Sequence, residues 1–312
     1  MRDTNFRAAA ELWTADQGSP DGAHQPLGIR EPLPGHGGRA LWPRHSWLDV
    51  RLQQSLGPES GARTFPHGGQ HPSGTGGADG GHVGPDRSRN RDGSPRFDEP
   101  VGPGAYLWWY LDALSDDGQH GLTIIAFVGS VFSPYYALAR GLQGSAVDPE
   151  NHCSINVALY GAGGQRWAMT ERGRTSIERS SQHFRVGPSS VHWDGQAFEF
   201  HLDELGFPIP RRVRGTVTVR PQSFTDFQTH LDGLGRHRWG PIAPCSHVEV
   251  DFPLQNLRWQ GHGYFDSNSG DEPIHIPFRR WDWSRASLRD GRTAVMYDCL
   301  LYTSPSPRDG LL

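Results

Sequence analysis

The stretch "YLWWYLDALSDDGQHGLTIIAFVGSVF", residues 106–132, decides the fold class of this chain. Both of its ends are rich in the aromatic and β-branched residues that strands favour, and "SDDGQHG" between them has the composition of a turn. The stretch therefore predicts a strand, a loop and a second strand.

The same pattern continues toward the carboxyl end of the chain. In "SVHWDGQAFEFHLDE", residues 190–204, apolar residues alternate around Asp194-Gly195, a dipeptide that suits a tight hairpin because the turn needs positive φ. "RVRGTVTVR", "HVEVDF", "LRWQGHGYF" and "TAVMYD" keep this period of two, and no long stretch has the period of an amphipathic helix. The sequence predicts an all-β, antiparallel barrel or sandwich.

One uncharged run, Gly121–Ala139, is 19 residues long and raises the question of a transmembrane helix. Gly129 and Pro134 interrupt it, and its β-branched residues suit a strand better than a helix. We interpret the run as a buried strand followed by an apolar loop.

Residues 1–95 have a different composition from the rest. Runs such as "HGGQHPSGTGGADGGHVGPDRSRNRDGSP" contain little that a fold can bury, and the chain as a whole has 40 Gly and 25 Pro. The histidines of this region lack fixed spacing, so they are interpreted as solvated. The sequence predicts a disordered tail over 1–95 and a folded core from Arg96.

Charge and cysteine content exclude several functions. All 30 basic residues are arginine and the formal net charge is −4, so no basic surface for nucleic acid is expected. Cys153, Cys245 and Cys299 form neither a disulfide framework nor a zinc pattern, which favours a reducing compartment. The amino-terminal residues lack the apolar segment of a signal peptide, so export by that route is not expected.

The common cofactor and hydrolase motifs are absent from the sequence. There is no Gly-x-Ser-x-Gly elbow, no phosphate-binding loop with Gly-Lys, and no His-Glu-x-x-His helix. "GAGGQRW", residues 161–167, precedes a strand-like run and is interpreted as a hairpin turn, not a dinucleotide site. No cofactor is predicted.

Residues 235–273 contain the candidate site. His237 and Trp239 lie two apart, as do Tyr264 and Asp266. On strands this spacing points both members of a pair to one face, so two strand ends can direct four side chains into one cavity.

A structural interpretation of these residues stays open on spacing alone. Asp266 followed by Ser267, Asn268 and Gly270 also fits an Asx-type turn, and His or Trp is ordinary in a β core. A metal site is the weakest option, because the available residues have no ligand spacing: His247, Asp251 and His262.

Several longer motifs carry a resemblance to a known family. They are "GAYLWWYLDALSDDGQHGLTIIAFVGSVFSPYYALAR", "NHCSINVALYG", "RWAMTERG", "HRWGPIAP", "GHGYFDSNSGDEPI" and "WDWSRA". Over Arg96 to Asp298 the chain resembles the carotenoid 1,2-hydratases of purple bacteria, also called hydroxyneurosporene synthases. The resemblance implies two successive lipocalin-like antiparallel β-barrels, at 96–225 and 226–298, the second of them truncated.

The resemblance also implies an activity and its residues. The family adds water to the terminal C1=C2 double bond of acyclic carotenes such as neurosporene and lycopene, as a hydro-lyase without a cofactor. Its catalytic residues fall on His237, Trp239, Tyr264 and Asp266. The expected partners are the carotene and water. Because a carotene must be drawn from a bilayer, we expect peripheral contact with the cytoplasmic side of the inner or photosynthetic membrane. The oligomeric state stays open.

These residue types suit protonation of an alkene. A buried Asp266 stays neutral until it donates its proton, aromatic faces of Trp239 and Tyr264 stabilise the cation, and a neutral His237 accepts a proton from water. Two other functions stay open at this point. One is a lipocalin-like carrier of carotenoid or lipid without catalysis, and the other is a cyclase or isomerase that shares the acid but excludes water.

The end of the chain has an unusual sequence. "CLLYTSPSPRD", Cys299–Asp309, resembles a translated sequencing adapter. We therefore interpret 299–312 as a non-native tail, in which Cys299 and Tyr302 have no role, and expect an open sheet edge where strands are missing.

Overall fold

The computed structural model describes residues 6–7, 11–13, 89–161, 165–288 and 292–301. Most of the predicted tail lies outside these ranges, so disorder there stays a prediction. The described residues form sixteen strands: β1 Phe6–Arg7, β2 Glu11–Trp13, β3 Tyr106–Ser115, β4 His120–Val128, β5 Ser154–Gly161, β6 Arg166–Ala168, β7 Ile177–Arg179, β8 His183–Val186, β9 Ser189–Trp193, β10 Phe198–Leu205, β11 Arg212–Pro221, β12 Thr229–His230, β13 His237–Phe252, β14 Leu257–Gly270, β15 Phe278–Ser287 and β16 Thr293–Leu301.

An α-helix, α1 (Pro134–Gln143), occupies the position where an apolar loop was predicted. That prediction is wrong because the helix begins on a local cap. The Ser133 hydroxyl accepts hydrogen bonds from the backbone N–H groups of Tyr135 and Tyr136, and Pro134 fits the first turn. In the ranges that the structure describes, no helix has the length and apolarity that crossing a bilayer requires.

Twelve strands form one antiparallel sheet, which confirms the all-β prediction. Its order is β6-β5-β4-β3-β14-β13-β11-β10-β9-β8-β7, and β12 pairs with β13. The predicted strand, loop and strand are β3 and β4. The predicted hairpin joins β9 to β10, where the Asp194 carboxylate accepts from the backbone N–H groups of Gln196 and Ala197 and Gly195 has a φ of 97°.

The sheet curls around one apolar core. Residues of β5 near one end of the sheet, such as Val157, share a buried cluster with residues of β8 near the other end, such as Phe184. A flat sheet would keep such strands far apart, so the shared cluster requires the curled, half-barrel shape expected of a lipocalin-like fold.

The sheet runs without interruption across the predicted domain boundary at 225/226. β11 pairs with β13, and β14 pairs with β3 along ten residues, Gly261–Gly270 against Tyr106–Ser115. The division into two domains stays a prediction.

A second sheet covers the outer face of the central strands. β15 and β16 form an antiparallel pair over β3, β13 and β14, and the buried residues between the two sheets include Trp108, Trp239, Tyr264 and Tyr297. β1 and β2 pair with the outer edge of β16. These two short strands cover part of the β16 edge, and β15 ends the sheet on its other side with no further strand in the described residues, so an open edge remains as predicted.

Cys299, at the start of the adapter-like segment, takes part in this packing. It lies in β16 opposite Trp281 and is buried. Tyr302 lies outside the described residues. The non-native origin of 299–312 stays a prediction.

Candidate active site

Asp266 lies in the middle of the sheet face that β15 and β16 cover. It belongs to β14, opposite Pro241 of β13 and Tyr110 of β3, and only 2% of it is exposed. Its Oδ2 accepts a hydrogen bond of 2.8 Å from the indole N–H of Trp239. Its Oδ1 is buried and accepts no hydrogen bond of standard geometry in the described ranges, although the Tyr264 hydroxyl is close enough to lower the pKa. One oxygen is thus held in place, and the other is available to carry a proton.

Burial raises the pKa of Asp266 from 3.8 to about 7, because the carboxylate loses its hydration there. The side chains of Trp239 and Tyr264 oppose this shift, and the negative charge of Asp112 reinforces it. At neutral pH a large fraction of Asp266 is therefore the uncharged acid, which is the form that can donate a proton.

Tyr264 lies two residues before Asp266 and faces the same side of the sheet, opposite Asp112. Asp112 forms a buried ion pair with Arg285 of β15, whose Nε donates to Oδ1 at 2.5 Å. The guanidinium carbon of Arg285 lies 5.8 Å from the centre of the Tyr264 ring. This ion pair ties β15 to the central sheet directly beside the acid. Removing one partner would leave an uncompensated buried charge.

Aromatic rings form the rest of the surroundings. Tyr264 and Tyr110 both contact Trp283 of β15, with ring centres 5.3 and 5.2 Å apart. Trp239 packs on Tyr297 of β16, with ring centres 5.0 Å apart. Rings exclude water from the carboxyl group and present negative faces to a cation.

His237 lies apart from this acid. It pairs with Gly270, four residues along β14 from Asp266, which corresponds to roughly 13 Å along a strand. Its Nδ1 shares a hydrogen bond of 2.7 Å with the Tyr106 hydroxyl, and its Nε2 lies 3.6 Å from Oε1 of Glu272. Burial lowers the pKa of His237 to about 4. The ring is therefore neutral at pH 7, and its contact with Glu272 is not an ion pair there.

The structure thus brings three of the four predicted residues together. Trp239, Tyr264 and Asp266 share one buried cluster, whereas the predicted proton relay from His237 to Asp266 has no direct contact. The catalytic roles of all four stay predictions.

Among the residues around this cluster that sequence reasoning missed, four come from two strands. Tyr110 and Asp112 come from β3, and Trp283 and Arg285 come from β15. Their signal is the period of two in "YLWWYLD" and "WDWSR", which places each pair on one strand face. The sequence does not show that the two faces meet.

The ranges that the structure describes contain no group of three or more His, Cys, Asp or Glu side chains placed to hold a metal ion. The prediction of a reaction without metal or cofactor stays a prediction.

Comparison with known proteins identifies the family. Residues 124–308 match the family model described as carotenoid hydratase CrtC. The chain is 54% identical to the acyclic carotenoid 1,2-hydratase of Rubrivivax gelatinosus, over 87% of this chain and 67% of that protein. It is 46% identical to the protein of the same name from Thiocapsa roseopersicina, over 96% of this chain and 73% of that protein. The chain belongs to the carotenoid hydratase CrtC family, which confirms the resemblance.

The raised pKa of Asp266 predicts how stability depends on pH. The folded state binds this proton more tightly than the unfolded state does, so the wild-type chain loses stability as pH rises from about 4 through 7. Asp266→Asn cannot titrate. Relative to the wild type, its free energy of unfolding should therefore rise across this range, by on the order of 3–4 kcal/mol at most.

Urea unfolding at a series of pH values measures this difference. Asp203→Asn is a control with a different pH window, because Arg212 lowers the pKa of Asp203 below its usual 3.8 and the stability that this gives is complete above about pH 5. Between about pH 5 and 7 its difference from the wild type should therefore stay constant. A difference between Asp266→Asn and the wild type that is constant with pH would show that the buried carboxyl has an ordinary pKa.

Proposed function

We propose that the chain hydrates the terminal C1=C2 double bond of acyclic carotenes such as neurosporene and lycopene, with Asp266 as the proton donor. One observation carries this proposal. Asp266 is a buried carboxyl whose pKa lies near 7 and whose Oδ1 accepts no hydrogen bond of standard geometry in the described ranges, within a cluster of aromatic rings. Membership of the carotenoid hydratase family supports the class of reaction.

The first step is protonation of the alkene. The proton on Asp266 forms a bond with C2 while the π bond breaks, and the positive charge develops on C1, where two methyl groups make it tertiary. The Trp239 hydrogen bond on Oδ2 stabilises the carboxylate that is left. The rings of Trp239 and Tyr264 lie beside the carboxyl group and stabilise the cation, and Trp283 packs on Tyr264.

The second step is the capture of the cation by water. The water oxygen bonds to C1, and one of its protons must leave. The carboxylate of Asp266 is the nearest base to this position, whereas His237 lies about four residues away along the strand. We propose that Asp266 takes this proton back, so that the acid is regenerated and one water molecule has been added. The reaction changes no oxidation state, and the proposal includes no metal or cofactor.

The buried acid argues against one of the two alternatives, the carrier, and leaves the other to product analysis. A carrier of carotenoid or lipid gains nothing from a carboxyl group inside its apolar site, because burying that group is unfavourable. A cyclase or isomerase uses the same acid but returns a product without added oxygen. Product mass distinguishes that case from hydration.

Replacement of Asp266 tests the proton donor. Asp266→Asn keeps the size of the side chain but removes the transferable proton, so turnover should fall by two to four orders of magnitude or more while carotene binding is retained. Tyr264→Phe should lose much less, because the ring face remains. His237→Ala should also lose less than Asp266→Asn, since His237 does not contact the acid.

The assay is conversion of lycopene and neurosporene, followed by mass analysis of the products. Asp203→Asn, which changes a carboxylate on β10 away from the site, is the matched control and should keep wild-type turnover. If the Asp266→Asn variant is folded, binds carotene and still hydrates it at a near-normal rate, the mechanism is contradicted.

We further propose that the protein acts as a peripheral protein on the cytoplasmic side of the inner or photosynthetic membrane. An acyclic carotene is insoluble in water, and α1 presents apolar side chains to the solvent. Tyr135, Leu138 and Leu142 are exposed at spacings of three and four residues, which places them on one face of the helix. α1 contains no acidic residue that would repel anionic lipid.

Vesicle binding tests this face of α1. The double variant Leu138→Ser/Leu142→Ser should bind anionic phosphatidylglycerol vesicles roughly tenfold more weakly, since two apolar side chains no longer enter the interface. Leu234→Ser/Leu254→Ser changes two equally exposed leucines elsewhere and should bind as the wild type does. Equal losses for both variants in a flotation assay would contradict a docking role for α1.

A further inference from the structure

A cleft of about 440 Å³ opens on the same face of the large sheet as Asp266. β4 and β5 form its floor through Thr123, Ile125 and Ala158, and Phe132 and Phe207 contribute rings to its walls. The proposed mechanism at Asp266 does not use this cleft.

Strand register connects the cleft to the acid. Asp266 of β14 pairs with Tyr110 of β3, Tyr110 pairs with Ile125 of β4, and Ile125 pairs with Asn156 of β5. Paired residues point to the same face, and neighbouring strands are about 4.8 Å apart. Ile125 and Asn156, which both line the cleft, are therefore roughly 10 and 14 Å from Asp266 along one row of the sheet.

Tyr110 lies in this row between the cleft and the acid, and the ring of Trp283 packs on it. Tyr110 and Trp283 meet edge to face, with ring centres 5.2 Å apart. The Tyr110 hydroxyl donates a hydrogen bond to Asp112, which holds that ring in place. The indole N–H of Trp283 is buried and has no hydrogen-bond partner in the described ranges, so Trp283 can turn without breaking a hydrogen bond.

The composition of the cleft favours an apolar, unsaturated ligand. Its lining is mostly apolar and aromatic, with Arg166 as its charged residue. A second cleft of similar volume, about 460 Å³, carries charged side chains from Asp203, Arg214 and Asp251 and is unsuited to a hydrocarbon.

We propose that the cleft on β4 and β5 binds the conjugated polyene chain of an acyclic carotene, and that Trp283 turns aside to admit the end group to Asp266. The proposal rests on the proposed hydration at Asp266. It adds a binding site for the part of the same substrate that is remote from the reacting double bond. Binding energy from the polyene then positions the terminal double bond beside the acid.

Filling the cleft tests the proposal. Ala158 is a small residue in its floor, and Ala158→Trp places an indole where the polyene would lie. Lycopene is achiral, so the circular dichroism it acquires in the visible region reports binding to the protein. In Ala158→Trp the affinity for lycopene should fall at least tenfold. Ala158→Leu fills less of the cleft and should give a smaller loss, and far-ultraviolet circular dichroism checks that both variants are folded.

Thr216→Trp is the matched control. It adds the same indole to the second cleft, where Thr216 is exposed, and should leave lycopene binding unchanged. Unchanged lycopene binding in folded Ala158→Trp, or equal losses in Ala158→Trp and Thr216→Trp, would overturn the proposal.

A short substrate separates this proposal from the hydration itself. A monoterpene that ends in the same trisubstituted alkene reaches the acid without filling the cleft, so Ala158→Trp should hydrate it within about twofold of the wild-type rate. If the wild-type chain fails to hydrate either substrate but lycopene binding still depends on position 158, the polyene site stands and the proposed function fails. Equal losses of monoterpene and lycopene turnover, with lycopene binding unchanged, would overturn the polyene site.

Discussion

The exclusion of water from the Asp266 carboxyl is the constraint on which the rest of the site depends. A carboxylic acid is uncharged near neutral pH only if its ionised form is penalised, and burial provides this penalty here. Burial requires protein on both sides of the strand. The curled sheet supplies an apolar core behind β14, and β15 and β16 supply a cover in front of it.

This double burial explains the composition of β3. Its even-numbered residues, such as Trp108 and Tyr110, face the acid, and its odd-numbered residues, such as Trp109 and Leu111, face the core of the curled sheet. A strand with one wet face would alternate apolar and polar residues, whereas "YLWWYL" is apolar or aromatic on both faces. The ion pair of Asp112 and Arg285 is the exception. It fixes β15 over the acid, and the Asp112 charge helps to keep the pKa of Asp266 high.

The sequence predicted the strands, the hairpin at Asp194-Gly195 and the family, because each depends on local pattern or on long motifs. It also placed Tyr264 and Asp266 on one face, since a spacing of two on a strand determines this. It did not predict the distance between His237 and Asp266, because that distance depends on the register of β13 against β14. A spacing of two along a strand determines which face of the sheet a residue occupies. It does not determine which residue of the neighbouring strand lies opposite.

The same limit explains the other differences. Tyr110 and Trp283 lie far apart in sequence and meet only because β15 folds over β3. β1 and β2 reach the edge of β16 from the opposite end of the chain, and no local pattern encodes that pairing. Helix α1 has a different explanation. Its start signal, Ser133-Pro134, is short, and the apolar, β-branched residues before it favour a strand.

Infrared difference spectroscopy tests the central claim most directly. The wild-type spectrum minus that of Asp266→Asn isolates the carboxyl group of Asp266, because a protonated acid has a C=O stretch that a carboxylate lacks. A pH titration of this band should show the protonated acid below neutral pH and a midpoint at about 7. A midpoint near 3.8, the ordinary value for Asp, would show that Asp266 is ionised under working conditions and is not the proton donor.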